Sequence, residues 1–372
     1  DQIASDVLQR AALGATTEQG FAERWALFWA NHFSVGAGNF VRTATIGPYE
    51  TAAIRPHVFG RFADLLVAAE THPAMLLYLD QNASVGPDSP LAQRTARRPD
   101  AKRQLGLNEN LAREILELHT VGVDGGYTQA DVTEFARALT GLSFRGFNAP
   151  AEKAGETYFR EIAHQPGPRS VMGVAYEVEG EAQALAILND LAARPQTARF
   201  ISRKIARHFV ADDPPAALVA RLEAVWRDTD GALDQVAAAL IAAPEAWAPA
   251  PAKFKTPYEF MISSWRAVNA APRKPADLAM LTAMGHRPFY APSPEGWPDE
   301  AAAWATPDGI IKRLVWTQDF APQVIGTADP SEVAAQALGA RLSPATARAV
   351  ARAESRGEGL ALLLMSPEFQ RR

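Results

Sequence analysis

Phe21, Trp25, Phe28 and Trp29 recur at i, i+4, i+7 and i+8, the spacing that puts large aromatic rings on one face of an α-helix. A face that apolar has to be covered by another layer of structure. The same period returns along the chain and predicts helices over 61–70, 72–79, 109–121, 129–140, 181–193 and 196–210. In the C-terminal half it predicts them over 216–227, 232–243, 257–269, 276–284, 307–320, 331–338, 344–353 and 357–364. Two start signals sharpen these assignments. Thr128 with Asp131, and Thr256 with Glu259, read as capping boxes, and Pro257 sits at a first helical position.

Two stretches break the rhythm. Residues 83–106 are polar, contain proline and turn basic, and read as a mobile loop. Residues 144–179 are rich in Gly and Pro, with β-prone pieces at 157–159 and 170–174. The expected fold is therefore mainly α-helical, one large helical domain over 1–372, with at most a small β-hairpin near 155–176.

Composition removes several functions. A net charge of −5 with no basic block gives nucleic acid no electrostatic footprint. No apolar run approaches the roughly 18–20 residues of a membrane helix. Cysteine is absent, which excludes disulfides, thiolate metal sites and a cysteine nucleophile. Zinc-protease, nucleophile-elbow, phosphate-loop and dinucleotide signatures are also missing. The chain starts at Asp1 rather than Met, so an upstream segment or signal peptide is expected to have been removed.

The densest polar segment runs from Asn108 to His119. On a helical wheel Glu109, Asn110, Arg113, Glu114 and Glu117 share an arc of roughly 140°, opposite Leu111, Ile115, Leu116 and Leu118. One reading is a solvated ladder of i, i+4 ion pairs. The other is a buried polar cluster that supplies a general acid or base, or metal ligands. His119 falls among the leucines and reads as a core or last-turn histidine. His32 lies inside the aromatic face and therefore needs a buried hydrogen-bond partner. If the acidic face of the 109–121 helix supplied that partner, the pair would form a tuned acid/base site.

The 196–210 helix carries Arg199, Arg203, Lys204, Arg207 and His208; such a helix could recognise an anionic substrate, but reads first as surface charge or as the ion-pair partner of an acidic helix. Asp131 and Glu259 are discounted as catalysts because they read as caps. The stretch from Ala291 to Pro298 is a stiff loop presenting Trp297, able to stack on a sugar ring or to plug a groove.

Taken together, several motifs resemble one large bacterial family. They are Phe21-Ala-Glu-Arg-Trp-Ala-Leu-Phe-Trp-Ala-Asn-His-Phe33, the run from Asn108 to Gly122, and Tyr127-Thr-Gln-Ala-Asp-Val with Leu139-Thr-Gly141. To these are added His72-Pro-Ala-Met-Leu-Leu-Tyr-Leu79, Lys253-Phe-Lys-Thr-Pro257 and Pro294-Glu-Gly-Trp-Pro298. The chain is similar over nearly its whole length to the domain-of-unknown-function 1800 family. The resemblance implies a mostly helical, exported protein, often encoded beside a sulfatase-like family, with no settled reaction. Two features depart from the pattern. Relatives carry a further helical segment before the aromatic helix, and they place an acid where this chain has Gln165 after His164.

These readings lead to an expected exported hydrolase, periplasmic or secreted, acting on a polymer such as a polysaccharide. Glu114 and Glu117 are its expected working carboxylates, with His32 as their buried partner. Asn110, Arg113, His164, Trp297 and Arg203 are expected to bind substrate; no cofactor or metal is specified. The alternatives are a non-catalytic envelope scaffold and, lower, a carboxylate–histidine metalloenzyme. The latter would need a Glu-x-x-His pair that is not found.

Overall fold

The computed structural model describes residues 2–38, 40–97, 105–146, 148–247 and 252–372. Within them lie 19 α-helices and two small antiparallel sheets, a mainly helical fold. Both capping boxes form: Thr128 and Asp131 cap Gln129–Leu139, and Thr256 and Glu259 cap Pro257–Ala267, each pair bonding reciprocally to the other's backbone N–H.

The β structure differs in pairing from a single hairpin. Strand β1 (Leu142–Phe144) pairs with β2 (Thr157–Phe159), and β3 (Arg169–Val171) with β4 (Val174–Tyr176). The β3–β4 turn has left-handed backbone at Met172 and Gly173, the geometry that matches strand twist in a tight hairpin.

The stretch 83–106 is not simply a loop. Ser89 caps a helix at Pro90–Ala96, and the segment before it is tied down. Val85 N–H donates to Gly106 O, Gly86 N–H to Ala163 O, and the Gln165 amide accepts from Asp88 N–H while donating to Asp88 Oδ2. A Cβ at Gly86 would lie 2.6 Å from Gln165 backbone nitrogen, so this close approach requires glycine. The polar composition that suggested mobility serves these local bonds instead. Residues 98–104 lie outside the described residues.

Buried apolar side chains form two clusters. The first includes Trp25, Phe28 and Trp29 of helix α2 (Gly20–His32), and extends to Leu233, Val236 and Leu240. The second joins Ala11 of helix α1 (Gln2–Thr16) to Phe260, Trp316, Phe320, Leu360 and Leu363. Helix α2 therefore has two loaded faces. Its aromatic stripe packs into the first core, while Leu27 on the other side packs against the second. The seam between them does not close completely.

Candidate functional site

The polar helix near Asn110 is the place to begin, because its sequence is the most charged. It is α-helical at Asn110–Glu114 and then widens to a π-turn at Ile115–His119, a rare distortion that often accompanies functional positions. The wide turn rotates positions after Glu114 relative to an ideal wheel. His119 points fully inward, and its Nδ1 lies 2.7 Å from Glu70 Oε1, both side chains being sealed from solvent. Neither atom makes an aligned hydrogen bond, so the contact is a close polar approach inside the core. His32, 1% exposed, sets its Nε2 3.1 Å from the backbone carbonyl of His119. That carbonyl needs a donor, so Nε2 carries the proton. Burial first, then Lys204 and His119, hold the His32 pKa well below its ordinary value. The expected burial and bonding of His32 are thus present. Its partner, however, is a backbone carbonyl on the inward side of the helix and not the acidic face.

The acidic face itself is not an interior cleft, contrary to expectation. Asn110 is exposed. Arg113 bonds Glu109 at 3.2 Å and Gln129 at 2.9 Å, while Glu109 also accepts from Thr133 at 2.6 Å. This is a surface ladder between neighbouring helices. Glu114 and Glu117 are half-buried, and Glu117 accepts from the Tyr127 hydroxyl at 3.3 Å. Burial pushes the Glu114 pKa up. His164 is buried too, but its Nδ1 is 2.7 Å from Thr140 O, a structural bond beside β1. Arg203 is exposed on its helix.

None of these side chains lines the cavity of about 510 Å³ that opens in the seam between the two cores. Of the expected site residues, Trp297 does. Its walls are α1, α2, the Pro257–Ala267 helix and the loop carrying His286 and Trp297. Three of the motif segments that carried the resemblance meet here: Phe21, Arg24 and Asn31 from the first, Lys255 and Thr256 from the second, Trp297 and Pro298 from the third.

Asn31 fastens the loop to α2. Its Oδ1 accepts from Trp297 N–H at 2.7 Å and its Nδ2 donates to Trp297 O at 3.0 Å. Gly296 makes this possible, with φ +89 and a position at which a Cβ would sit 2.4 Å from Asn31 O. Gly296→Ala should therefore cost about 1–3 kcal/mol from backbone strain alone and release the loop. Thermal unfolding and tryptophan emission would check this; an unchanged midpoint and spectrum would contradict the pinned loop.

The cavity's charged groups are mostly committed. Arg55 clamps Glu23 through two bonds of 2.7 and 2.8 Å. Arg372 Nε lies 2.7 Å from Glu259 Oε1, and that carboxyl is held down to about 2, against its burial, chiefly by Arg372 and Arg24. His208 Nδ1 lies 2.7 Å from Asp299 Oδ1. The Asp299 carboxyl is held well below its ordinary range despite burial, chiefly by His208. Burial outweighs Asp299 at His208 and lowers the imidazole pKa. A neutral His208 therefore donates Nδ1–H to Asp299 and keeps its Nε2 lone pair. Among the described residues nothing bonds to Nε2, which is not sealed in the protein. An imidazole oriented by a carboxylate, with its second nitrogen open, has the chemistry to accept a proton.

Lys255 is 9% exposed, bonds Ser263 Oγ at 3.0 Å and rests 3.9 Å over the Phe369 ring. Burial pulls its pKa down to about 7, outweighing Glu259, while Arg341, Arg24 and Arg313 add to the fall. An unfolded lysine titrates near ~10.4, so between these values the unfolded chain holds one more proton and stability rises with pH. Lys255→Met should abolish that rise and raise stability at pH 7 by about 2 kcal/mol or more. Urea unfolding at pH 7 and pH 9 would check it; a variant less stable at pH 7 would contradict it.

Sequence reasoning had set Glu259 aside as a cap, which it is, although it also anchors this cluster. Asp299, Arg24 and Glu70 carried no signal of their own. Each acquires its role from a partner far away in the chain.

A family model described as "Protein of unknown function (DUF1800)" matches residues 1–371. No curated protein and no solved structure matches the chain.

Proposed function

The chain belongs to the DUF1800 family, whose description names no reaction, and on that premise we propose that it is a hydrolase working in the cavity between its two cores. The observation that carries this reading is the Asp299–His208 pair at 2.7 Å with Nε2 open beside the cavity. His208 Nε2 takes a proton from water as the water oxygen attacks the acyl carbon of an ester. The C–O bond to the leaving group then breaks, and the leaving oxygen takes the proton from Nε2. Asp299 stays ionised, fixes the tautomer and stabilises the transient imidazolium.

Esters suit this site better than glycosides. Glycoside hydrolysis needs one carboxyl group as acid and another as base or nucleophile. The three carboxylates lining the cavity are each held by a cation or by His208. A polymer bearing acyl esters, met in the periplasm or outside the cell, remains the proposed setting and is supported by the resemblance to exported proteins.

The test is the pH profile of p-nitrophenyl ester hydrolysis. Since the base works neutral and its pKa is lowered, turnover should fall only on the acid side, below about pH 6.5, the ordinary histidine value. Asp299→Asn should lower kcat by about a hundredfold or more through the wrong tautomer. Turnover no faster than buffer across acetyl to decanoyl esters would overturn the proposal.

A further inference from the structure

The charges around the cavity do not balance. Among the described residues four guanidinium groups line it, Arg10, Arg24, Arg266 and Arg372, with the Lys255 amine, whose pKa is drawn down to about 7, against three carboxylates, Glu23, Glu259 and Asp299. Most of the cations are occupied. Arg372 holds Glu259, Arg266 donates to the carbonyls of Gly14 and Thr17, Arg10 lies 3.5 Å from Glu50, and Lys255 bonds Ser263.

Arg24 is the exception. Among the described residues it makes no ion pair and no hydrogen bond. The side chain is half-buried, its Nε is buried without any partner, and it lines the cavity. Its guanidinium carbon stands 5.3 Å from the Phe209 ring centre, a cation–π contact. Burial, then Arg372, draws its pKa down to about 10, against the opposing pull of the Glu259 and Asp299 carboxylates, so it is still a cation at neutral pH, linked electrostatically to those carboxylates at longer range but bonded to neither. A second unpartnered group shares the wall: Tyr258, 6% exposed, whose hydroxyl meets no protein partner. Buried donors without acceptors are costly in an empty cavity and become an asset when an anion arrives.

The remainder of the wall is apolar, with Phe21, Leu27, Ile262, Phe289 and Trp297 facing the same space. A cavity of about 510 Å³ lies within the size range of small-molecule sites. We propose that it recognises a monocarboxylate on an apolar acyl or aryl body, the carboxylate on Arg24 and the body against Phe21, Leu27, Ile262 and Phe289. Arg24 is the one guanidinium on the wall without a direct polar partner among the described residues, and with Glu259 and Asp299 nearby it suits a single negative charge better than a phosphate dianion. This assignment rests on the cavity being the working site of the proposed hydrolase. It names the acyl half of the substrate, which leaves as the carboxylate with its proton lost to solvent.

Calorimetric titration of the full chain with decanoate, decanol and decyl phosphate tests the assignment without any turnover. Decanoate should bind at one site, about tenfold or more tighter than decanol, as a charge-assisted bond requires. Arg24→Gln should bring decanoate down to the affinity of decanol, and Arg24→Lys should recover part of the difference. Leu27→Trp, which fills the apolar end and leaves Arg24 in place, should abolish binding of both, and circular dichroism would establish that each variant is folded. Equal affinity for decanoate and decanol, no binding of either, an unchanged Arg24→Gln, or tighter binding of decyl phosphate than decanoate would each overturn it. Decanoate binding by a protein that hydrolyses no ester would uphold this inference while sinking the hydrolase.

Discussion

Glu70→Ala should destabilise the protein by about 3–5 kcal/mol, as expected when a buried polar group loses its partner and a void is left in the core. Glu70 and His119 are both sealed in the first core, at 1% and 0% exposure, and meet at 2.7 Å. Without the carboxylate, His119 would have no polar neighbour at Nδ1, and its Nε2 already has none. The truncation also leaves a void beside Leu66 and Ala69 on the same buried helix, Phe62–Thr71, which adds a cavity term. His32 would feel the change through the His119 carbonyl it bonds, so the junction of α2 with the π-turn should loosen. Glu70→Gln keeps the volume and an acceptor and should cost about 1 kcal/mol, the worth of an ordinary hydrogen bond. Urea unfolding measures both. A Glu70→Ala protein within 1 kcal/mol of the parent would show that the contact is not structural.

Local signals in the sequence carried the helical class, both capping boxes and the inward aromatic face, because periodicity and capping are properties of neighbouring residues. The burial of His32 followed from its wheel position for the same reason. Its partner did not, since the carbonyl comes from His119 across a long stretch of chain, at a π-turn that a regular wheel does not anticipate. The acidic helix misled because i, i+4 charge density looks the same on a surface ladder and in a cleft. Glu109, Arg113 and Gln129 turned out to satisfy one another. The site was hardest to see because it is assembled from single residues on separate segments. His208 was visible only as part of a basic helix, and Asp299 gains meaning only when the fold places it 2.7 Å away. Trp297 was legible because proline and glycine around it marked a rigid loop.

His208→Gln should lower ester turnover by about a thousandfold or more, because an oriented general base and its partner act as one unit in catalysis. Glutamine keeps a polar group of similar reach toward Asp299 but offers no basic nitrogen to water. The fold should survive, since His208 stands at the cavity wall against Phe28 and Phe209 and glutamine is of similar length, with circular dichroism as the check. Substrate binding should survive as well, because Arg24 and the apolar wall are untouched, so the loss should appear in kcat with KM little changed. The expectation is opposite for the carboxylates that first drew attention. Glu114 and Glu117 lie outside the cavity, and the hydrolase reading no longer rests on them.

The most direct measurement is therefore a side-by-side determination of kcat for p-nitrophenyl decanoate hydrolysis by the parent, His208→Gln, and the Glu114→Gln, Glu117→Gln double variant. A cavity-centred site predicts that His208→Gln loses turnover while the double variant keeps it within about threefold of the parent, the scale of a small electrostatic perturbation. Retained turnover in His208→Gln, or its loss in a folded double variant, would contradict the placement of the site.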